Sequence, residues 1–260
     1  NSTLPMKDIL YQLPGLISQG RPLVLCLVTE AKGSTPRKEG ARMIVFSDGS
    51  IMGTIGGGSV EMQAIEIAKQ VLETGKPFKK QFQLEQDLQM QCGGDMEIYF
   101  EPFFGELKLY IFGAGPVGRE VGKYARDFGF SIIFIDHRAE IYKEFDGSYA
   151  KCIAEDYVHS LATIHFSDRD FVVITTPKHE YDEKLLGQVA KQKLAYLGMI
   201  GSKRKVAEAR KRLLAEKALT KEQLDLVDMP IGVPFHAETP AEIAISIVAK
   251  LIDVKSRKGF

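Results

Sequence analysis

Features that mark several common classes of protein are missing from the 260-residue sequence. Its 34 basic and 34 acidic side chains give a formal net charge of zero, so bulk charge favours neither a nucleic acid nor an anionic membrane as partner. No apolar run approaches the roughly 18 residues of a membrane span. No internal repeat is present. The sequence also shows no Ser-His-Asp, HExxH or paired-carboxylate constellation, so a simple hydrolase has no support.

Cysteine is scarce: Cys26, Cys92 and Cys152 are far apart and show no metal-ligand spacing. Such sparse usage is typical of a reducing, cytoplasmic setting. Cys26 and Cys152 lie in apolar segments that predict strands, so both are expected in the core. Cys92 precedes two glycines, which favours an accessible loop on which the thiol could attack or ligate. The alternative is a small buried apolar side chain.

The pattern of elements predicts an α/β protein of two domains. Strand segments cluster without intervening helices in residues 1–105, which predicts a small N-terminal α+β domain. Pro102 and Gly105 mark its end. Strands and helices alternate over residues 106–260, which predicts a Rossmann-like domain with a doubly wound parallel sheet.

A dinucleotide fingerprint opens the second domain. An apolar strand segment leads into Gly113, Gly115 and Gly118; a helical segment and a second apolar strand follow, and Asp136 closes the unit. Gly113 permits the tight turn, Gly115 lets a pyrophosphate approach the backbone, and Gly118 lets the helix pack closely. Asp136 stands where a ribose hydroxyl would be held, and Arg138 could accept a 2′-phosphate, so NAD and NADP remain open. Alternatively, the glycines serve the turn alone.

Further polar residues follow the later strands of this domain. Thr175, Thr176 and His179 come after one strand, and a turn precedes the next helix. Carboxyl ends of parallel strands are where such folds bind ligands. The turn consists of Gly201, Ser202, Lys203 and Arg204, and it suits a phosphate. The competing interpretation is a capped helix with a solvated basic face.

Two glycine-bearing loops of the first domain are further candidates. One contains Gly33, Ser34, Thr35 and Pro36, which could turn hydroxyls and backbone N–H groups toward an anion or could be a plain connection. The other contains Gly56, Gly57, Gly58 and Ser59 before a helix. It predicts a phosphate or pterin cradle, or else a tight turn with Ser59 as N-cap.

Together these stretches resemble the XdhC/CoxI family, the xanthine dehydrogenase accessory factors. The resemblance runs over nearly the whole chain, and so many motifs in order make it specific. The chain departs from many relatives at Ser59, where they carry Cys. The stretches that carry the resemblance are Gly33-Ser34-Thr35-Pro36-Arg37, Gly53 to Glu61, Cys92-Gly93-Gly94, Gly113 to Gly118, Thr175 to His179, Tyr196 to Arg204, Pro230-Ile231-Gly232 and Glu238 to Ala244.

The resemblance implies a cytoplasmic homodimer that binds molybdenum cofactor. Such a protein is a chaperone or maturation factor rather than a catalyst. It would help to sulfurate the cofactor, with a cysteine desulfurase as a further partner, and would deliver it to a molybdenum hydroxylase of the xanthine dehydrogenase type. Cys92 is then the candidate contact to molybdenum, because a thiolate suits a soft metal. The glycine loops, Asp136, His179 and the 201–204 turn are the other candidate cofactor contacts.

Two other functions stay open at this stage. The first is an NAD(P)-dependent oxidoreductase that uses the Rossmann domain, although no obvious acid–base set accompanies the fingerprint. The second is a nucleotide-sensing regulatory module. The ligand that co-purifies, whether a molybdopterin or NAD(P), would separate these possibilities.

Overall fold

A computed structural model describes residues 6–18, 20–84 and 94–260. Cys92 and Gly93 lie outside the described residues. The chain divides into two compact units, residues 1–106 and 107–260. In the described residues, no helix is both long enough and apolar enough to cross a bilayer.

The first unit is an antiparallel sheet covered by one helix on each face. Its elements are α1 Met6–Ser18, β1 Leu23–Lys32, β2 Arg42–Phe46, β3 Ile51–Gly53, α2 Gly58–Thr74, β4 Phe78–Gln83 and β5 Asp95–Phe103. The strand order is β3-β2-β1-β5-β4. Side chains of β1 alternate between the faces: Val24, Cys26 and Val28 pack toward α2, while Leu23 and Leu25 pack toward α1.

The second unit is a Rossmann-like parallel sheet with helices, which confirms the predicted fold class. Its elements are β6 Leu107–Phe112, α3 Pro116–Ala125, β7 Phe130–Ile135, β8 Ala150–Ile153, α4 Tyr157–Leu161, β9 Phe171–Ile174, α5 His179–Val189, β10 Tyr196–Met199, α6 Lys203–Ala215, α7 Lys221–Asp225 and α8 Pro240–Arg257. The strand order is β10-β9-β6-β7-β8. Two turns of 3₁₀-helix, Arg126–Phe128 and Ala139–Lys143, flank β7.

Both faces of this sheet are covered by helices, as its apolar strands require. Leu109 and Ile111 of β6 pack on the face covered by α3 and α8. Tyr110 and Phe112 pack on the other face, under α5 and α6. The chain leaves β6 toward β7 on one side and later adds β9 on the other. This reversal places the ends of β6 and β9 side by side, at the position where such sheets bind ligands.

The predicted burial of one cysteine is wrong. Cys26 is fully buried at the centre of the first sheet, as predicted, but Cys152 is exposed. Cys152 lies on β8, the edge strand of the second sheet, whose side chains are only partly covered. An apolar segment predicts a strand, but it does not reveal whether that strand is central or at an edge.

Candidate functional site

Two of the predicted loops of the first unit, 33–36 and 56–59, meet in the structure, and the first of them also contacts Gly94. A Cβ atom at Gly56 would stand 2.6 Å from Cγ of Pro36, so the two loops touch there. On the other side, a Cβ at Gly94 would stand 2.6 Å from the carbonyl oxygens of Lys32 and Ser34. The loop that contains Ser34 and Pro36 therefore contacts both the glycine loop and the residue that ends the Cys92-Gly93-Gly94 motif.

A carboxylate fixes the glycine loop from inside the following helix. Oε1 of Glu61 accepts hydrogen bonds from the hydroxyl of Thr54 at 2.5 Å and from the backbone N–H groups of Ile55 and Gly57 at 3.1 and 2.9 Å. The interpretation of Ser59 as N-cap is wrong, because α2 begins at Gly58 and its N-cap is Gly57. Glu61 takes over part of the capping function.

Open space remains above this anchored loop. Cβ atoms at Gly57 and Gly58 would meet no atom within 4 Å. Nearby, Oγ1 of Thr35 is buried and has no hydrogen-bond partner among the described residues. Gly33 and Ser34 of the same loop are exposed. A small ligand could approach the backbone here, and a bound group would supply the partner that a buried hydroxyl normally has.

The three glycines of the Rossmann turn have different roles. A Cβ at Gly113 would stand 2.3 Å from the carbonyl oxygen of Thr175, and one at Gly118 would stand 2.0 Å from that of Gly113. These two glycines are needed for close packing. A Cβ at Gly115 would meet nothing within 4 Å, and no side chain caps the N-terminus of α3 there. The space and the uncapped helix end suit an anion.

Both carboxylate oxygens of Asp136 accept hydrogen bonds from neighbouring residues. Its Oδ2 accepts hydrogen bonds from the backbone N–H of Ala114 at 2.9 Å and from Nη2 of Arg138 at 2.8 Å; Oδ1 accepts from the backbone N–H and Nε of Arg138 at 3.0 and 2.9 Å. Burial alone would raise the pKa of this carboxyl, but these hydrogen bonds outweigh it and hold the pKa below its ordinary value. A ribose hydroxyl would have to displace Arg138 to reach the carboxylate.

A second polar cluster lies at the carboxyl ends of β9 and β10. Oδ1 of Asp182 accepts hydrogen bonds from the backbone N–H of Thr176 at 3.1 Å and from its hydroxyl at 2.5 Å. Oδ2 lies 3.3 Å from Nδ1 of His179, and Nε2 of His179 lies 2.6 Å from Nζ of Lys205. Burial raises the pKa of Asp182, although the hydrogen bonds from Thr176 oppose this.

The predicted 201–204 turn borders the same cluster. The Ser202 side chain caps α6 by accepting a hydrogen bond from the backbone N–H of Lys205 at 3.3 Å, and Lys203 and Arg204 are exposed. His179, Asp182, Gly201, Arg204 and Lys205 line one cavity of about 130 Å³. The described residues contain no group of three or more His, Cys, Asp or Glu side chains arranged to hold a metal ion.

Sequence reasoning missed Asp182 and Lys205. Asp182 follows His179 by three residues on a helix, a spacing that places both on one face, and this could have indicated the pair. Lys205 comes from the next helix, and nothing in the local sequence indicates that it reaches His179. The two share a cavity because β9 and β10 are adjacent in the sheet.

Comparison with known proteins gives two family matches. A profile described as the XdhC Rossmann domain matches residues 109–251, and one described as the XdhC and CoxI family matches residues 16–83. The Escherichia coli (strain K12) protein named uncharacterized protein YqeB is 33% identical over 259 residues, which is 96% of this chain and 46% of that protein. A Bacillus subtilis (strain 168) protein, named as a probable xanthine dehydrogenase subunit, is 30% identical over 155 residues, 58% of this chain and 43% of that protein.

The chain therefore spans about half the length of the curated relatives it matches. Among solved structures, a crystal structure described as a xanthine dehydrogenase from Bacillus halodurans superposes with a TM-score of 0.51 and 22% identity. That likeness covers 98% of this chain and 96% of the other. At this identity it shows a shared fold.

Proposed function

The chain belongs to the XdhC and CoxI family, and from this premise we propose that it is an accessory protein of a xanthine dehydrogenase-type molybdenum hydroxylase. In this proposal it binds molybdenum cofactor in the cytoplasm, assists its sulfuration together with a cysteine desulfurase, and delivers it to the hydroxylase as a homodimer. The Bacillus subtilis relative, which is named as part of a xanthine dehydrogenase, supports the choice of client.

The contacts of the 33–36 loop with Gly56 and with Gly94 support this proposal. Pro36 lies against Gly56 and Ser34 against Gly94, so described residues from three stretches of the resemblance are in contact. Packing alone does not require this place to keep open space above Gly57 and Gly58, or to leave the Thr35 hydroxyl without a partner among the described residues. A ligand that fills the space accounts for both features.

The chemistry of the donors fits the two ends of the cofactor. When bound, the group supplies a redox-active molybdenum at one end, and it ends in a phosphate at the other. A thiolate suits the metal, and in our proposal Cys92, two residues before Gly94 in the sequence, is that ligand. Backbone N–H groups at a helix N-terminus suit the phosphate, and the start of α2 at Gly57 and Gly58 is the candidate in the first unit.

The engagement of Asp136 weighs against the NAD(P)-dependent alternative. The acid that would hold the ribose is buried and accepts four hydrogen bonds, two of which come from the Arg138 guanidinium. Binding a dinucleotide in the usual way would break this ion pair. The open space at Gly115 still suits a phosphate, so a titration with NADH and NADPH belongs in the same test.

An anaerobic titration of the purified protein with molybdenum cofactor tests the proposal, with Cys92→Ser as the variant and Cys152→Ser as the control. Cys152 is an exposed thiol, so its loss controls for general thiol reactivity. We expect tight binding by the wild type and by Cys152→Ser, and loss of most affinity in Cys92→Ser. Binding should weaken as pH falls, because the thiolate is the ligand. A thermal melt of each variant checks the fold.

Each other outcome has a definite meaning. If folded wild-type protein binds no molybdenum cofactor, the proposed function is wrong. If Cys92→Ser binds as well as the wild type, Cys92 is not a ligand and the glycine loops remain as the candidates. Binding of NADH or NADPH in place of molybdenum cofactor would favour the oxidoreductase or the nucleotide sensor. Sedimentation velocity tests the homodimer separately.

A further inference from the structure

The cluster around His179 has a geometry that the proposed cofactor role does not use. It lies beside the Rossmann turn, because consecutive residues of one strand end serve both. Thr175 Oγ1 lies 3.1 Å from the carbonyl oxygen of Gly113, and Thr176 holds Asp182. A polar group that acts on a ligand bound at this edge of the sheet would be expected in this position.

Asp182 and His179 form a carboxylate–imidazole pair. Only 2% of the Asp182 side chain is exposed, whereas 49% of the His179 side chain is. The 3.3 Å contact from Nδ1 to Oδ2 is an ion-pair distance but is not aligned as a hydrogen bond, so Oδ2 is a buried oxygen that accepts none among the described residues. Such catalytic contacts are often loose before the substrate binds. A buried carboxylate beside Nδ1 favours the tautomer with its proton on that nitrogen.

In this tautomer Nε2 carries a lone pair, and Nζ of Lys205 lies next to it in the cavity. With 2.6 Å between Nζ and Nε2, the ammonium donates a proton in a hydrogen bond and the imidazole accepts it. Lys205 makes no ion pair with any carboxylate of the described residues. The neighbouring charges are mostly paired: Arg212 contacts Glu183, and Arg204 lies 3.9 Å from Glu208. Within the part of the chain that the structure describes, Lys205 is thus a cation without an anionic partner beside a basic nitrogen.

We propose that His179 is a general base for a small anionic substrate whose phosphate or carboxylate pairs with Lys205. The incoming anion draws the ammonium away from Nε2 and so exposes the lone pair. Nε2 then accepts a hydrogen bond from a hydroxyl on the same substrate and is in position to take its proton as that oxygen reacts, so that no free alkoxide forms. Asp182 acts as a positioning residue that would stabilise the imidazolium, and Thr176 holds Asp182. This role goes beyond the proposed function and does not require the molybdenum cofactor.

The test measures carbethoxylation of His179 by diethyl pyrocarbonate, which modifies an imidazole nitrogen whose lone pair is accessible. Peptide mapping by mass spectrometry gives the rate at each histidine. His236, whose side chain is 91% exposed, is the internal control. The wild type is compared with Lys205→Met, which keeps an unbranched side chain as far as Cε but removes the charged amino group. Both are assayed alone, with inorganic phosphate and with acetate.

In the wild type we expect diethyl pyrocarbonate to modify His179 more slowly than His236. Lys205→Met should accelerate the modification of His179 about tenfold, as expected for the loss of one charge-assisted hydrogen bond. Phosphate or acetate should accelerate the wild type and leave Lys205→Met unchanged, and the anion that acts identifies the substrate class. Adding Asp182→Asn to Lys205→Met should slow His179 again, because the amide can donate to Nδ1 and move the ring proton to Nε2.

The proposal is overturned if diethyl pyrocarbonate modifies His179 in Lys205→Met at the same rate as in the wild type. It is also overturned if neither phosphate nor acetate changes the rate of His179 modification in the wild type. Lys205 is exposed, so this variant should fold even if the substitution of buried Asp182 prevents folding. The assay uses no molybdenum cofactor, and its failure is therefore distinguishable from a failure of the proposed function.

Discussion

The ring of Pro36 occupies the space that a side chain at Gly56 would need. A Cβ atom there would stand 2.6 Å from Cγ and 3.0 Å from Cβ of Pro36. Two loops that are 20 residues apart in the sequence are thereby held in contact, and the spacing between them depends on a glycine.

Gly56→Ala is therefore expected to destabilise the first unit more than Gly57→Ala. Both glycines have positive φ, 143° and 78°, so both substitutions strain the backbone by about 1–2 kcal/mol. Only the Cβ at position 56 also meets Pro36, which adds about 1–3 kcal/mol of overpacking. Urea unfolding gives the two free energies. Equal losses would show that the loops can separate at no cost.

Substitutions at two glycines of the Rossmann turn should also differ in how much stability they cost. Gly113→Ala would place a Cβ 2.3 Å from the carbonyl oxygen of Thr175, at a φ of 105°, and should cost about 3 kcal/mol or more. Gly115→Ala meets open space at a φ of −70° and should cost less than about 1 kcal/mol. Gly115→Val should fold but lose affinity for a phosphate-bearing ligand. If Gly115→Val bound every such ligand as the wild type does, the turn would be purely structural.

The Asp136–Arg138 pair should make stability depend on pH at the acid side. Because the pKa of Asp136 is lowered in the folded state, its contribution is complete above the ordinary aspartate value of about 3.9. It is lost as pH falls through the lower folded value. Asp136→Asn should cost about 2–3 kcal/mol at neutral pH and should flatten the acid limb of the unfolding curve. Denaturant unfolding over a pH series measures both effects, and an unchanged acid limb would contradict the assignment.

Much of the fold could be predicted because its signals are local. Apolar strand segments and the spacing of Gly113, Gly115 and Gly118 each occupy a short stretch, and the structure has each of them. The exposure of Cys152 could not be predicted in this way. It depends on the position of β8 at the sheet edge, which is set by the order of the strands.

The candidate site, like the fold, could be predicted from the sequence only in part. His179 and the 201–204 turn are predictable from their positions after strands. Their connection through Lys205, and the engagement of Asp136 by Arg138 and Ala114, depend on where side chains point once the sheet is assembled. A carboxylate at the end of the second Rossmann strand looks the same in the sequence whether it faces a ribose or its own neighbours.

Thr176→Val should destabilise the second unit in a way that depends on pH. The hydroxyl of Thr176 lies 2.5 Å from Oδ1 of Asp182 and 2.9 Å from the carbonyl oxygen of Lys178; it has one proton, and the shorter contact favours donation to the carboxylate. Burial already raises the pKa of Asp182, and this hydrogen bond opposes the rise. Its removal should raise the pKa further and cost about 1–3 kcal/mol at a pH above the raised pKa, where the carboxylate is charged.

The sign of the pH effect follows from the raised pKa. A folded state that binds the proton more tightly than the unfolded state loses stability as pH rises from the ordinary aspartate value to the raised one. The cost of Thr176→Val should therefore shrink as pH falls through this window, since a protonated Asp182 no longer needs the donor. Thr176→Ser keeps the hydroxyl and is the matched control. Urea unfolding over a pH series decides the matter: a cost for Thr176→Val that is independent of pH would mean that the packing of the added methyl group, rather than the charge of Asp182, accounts for it.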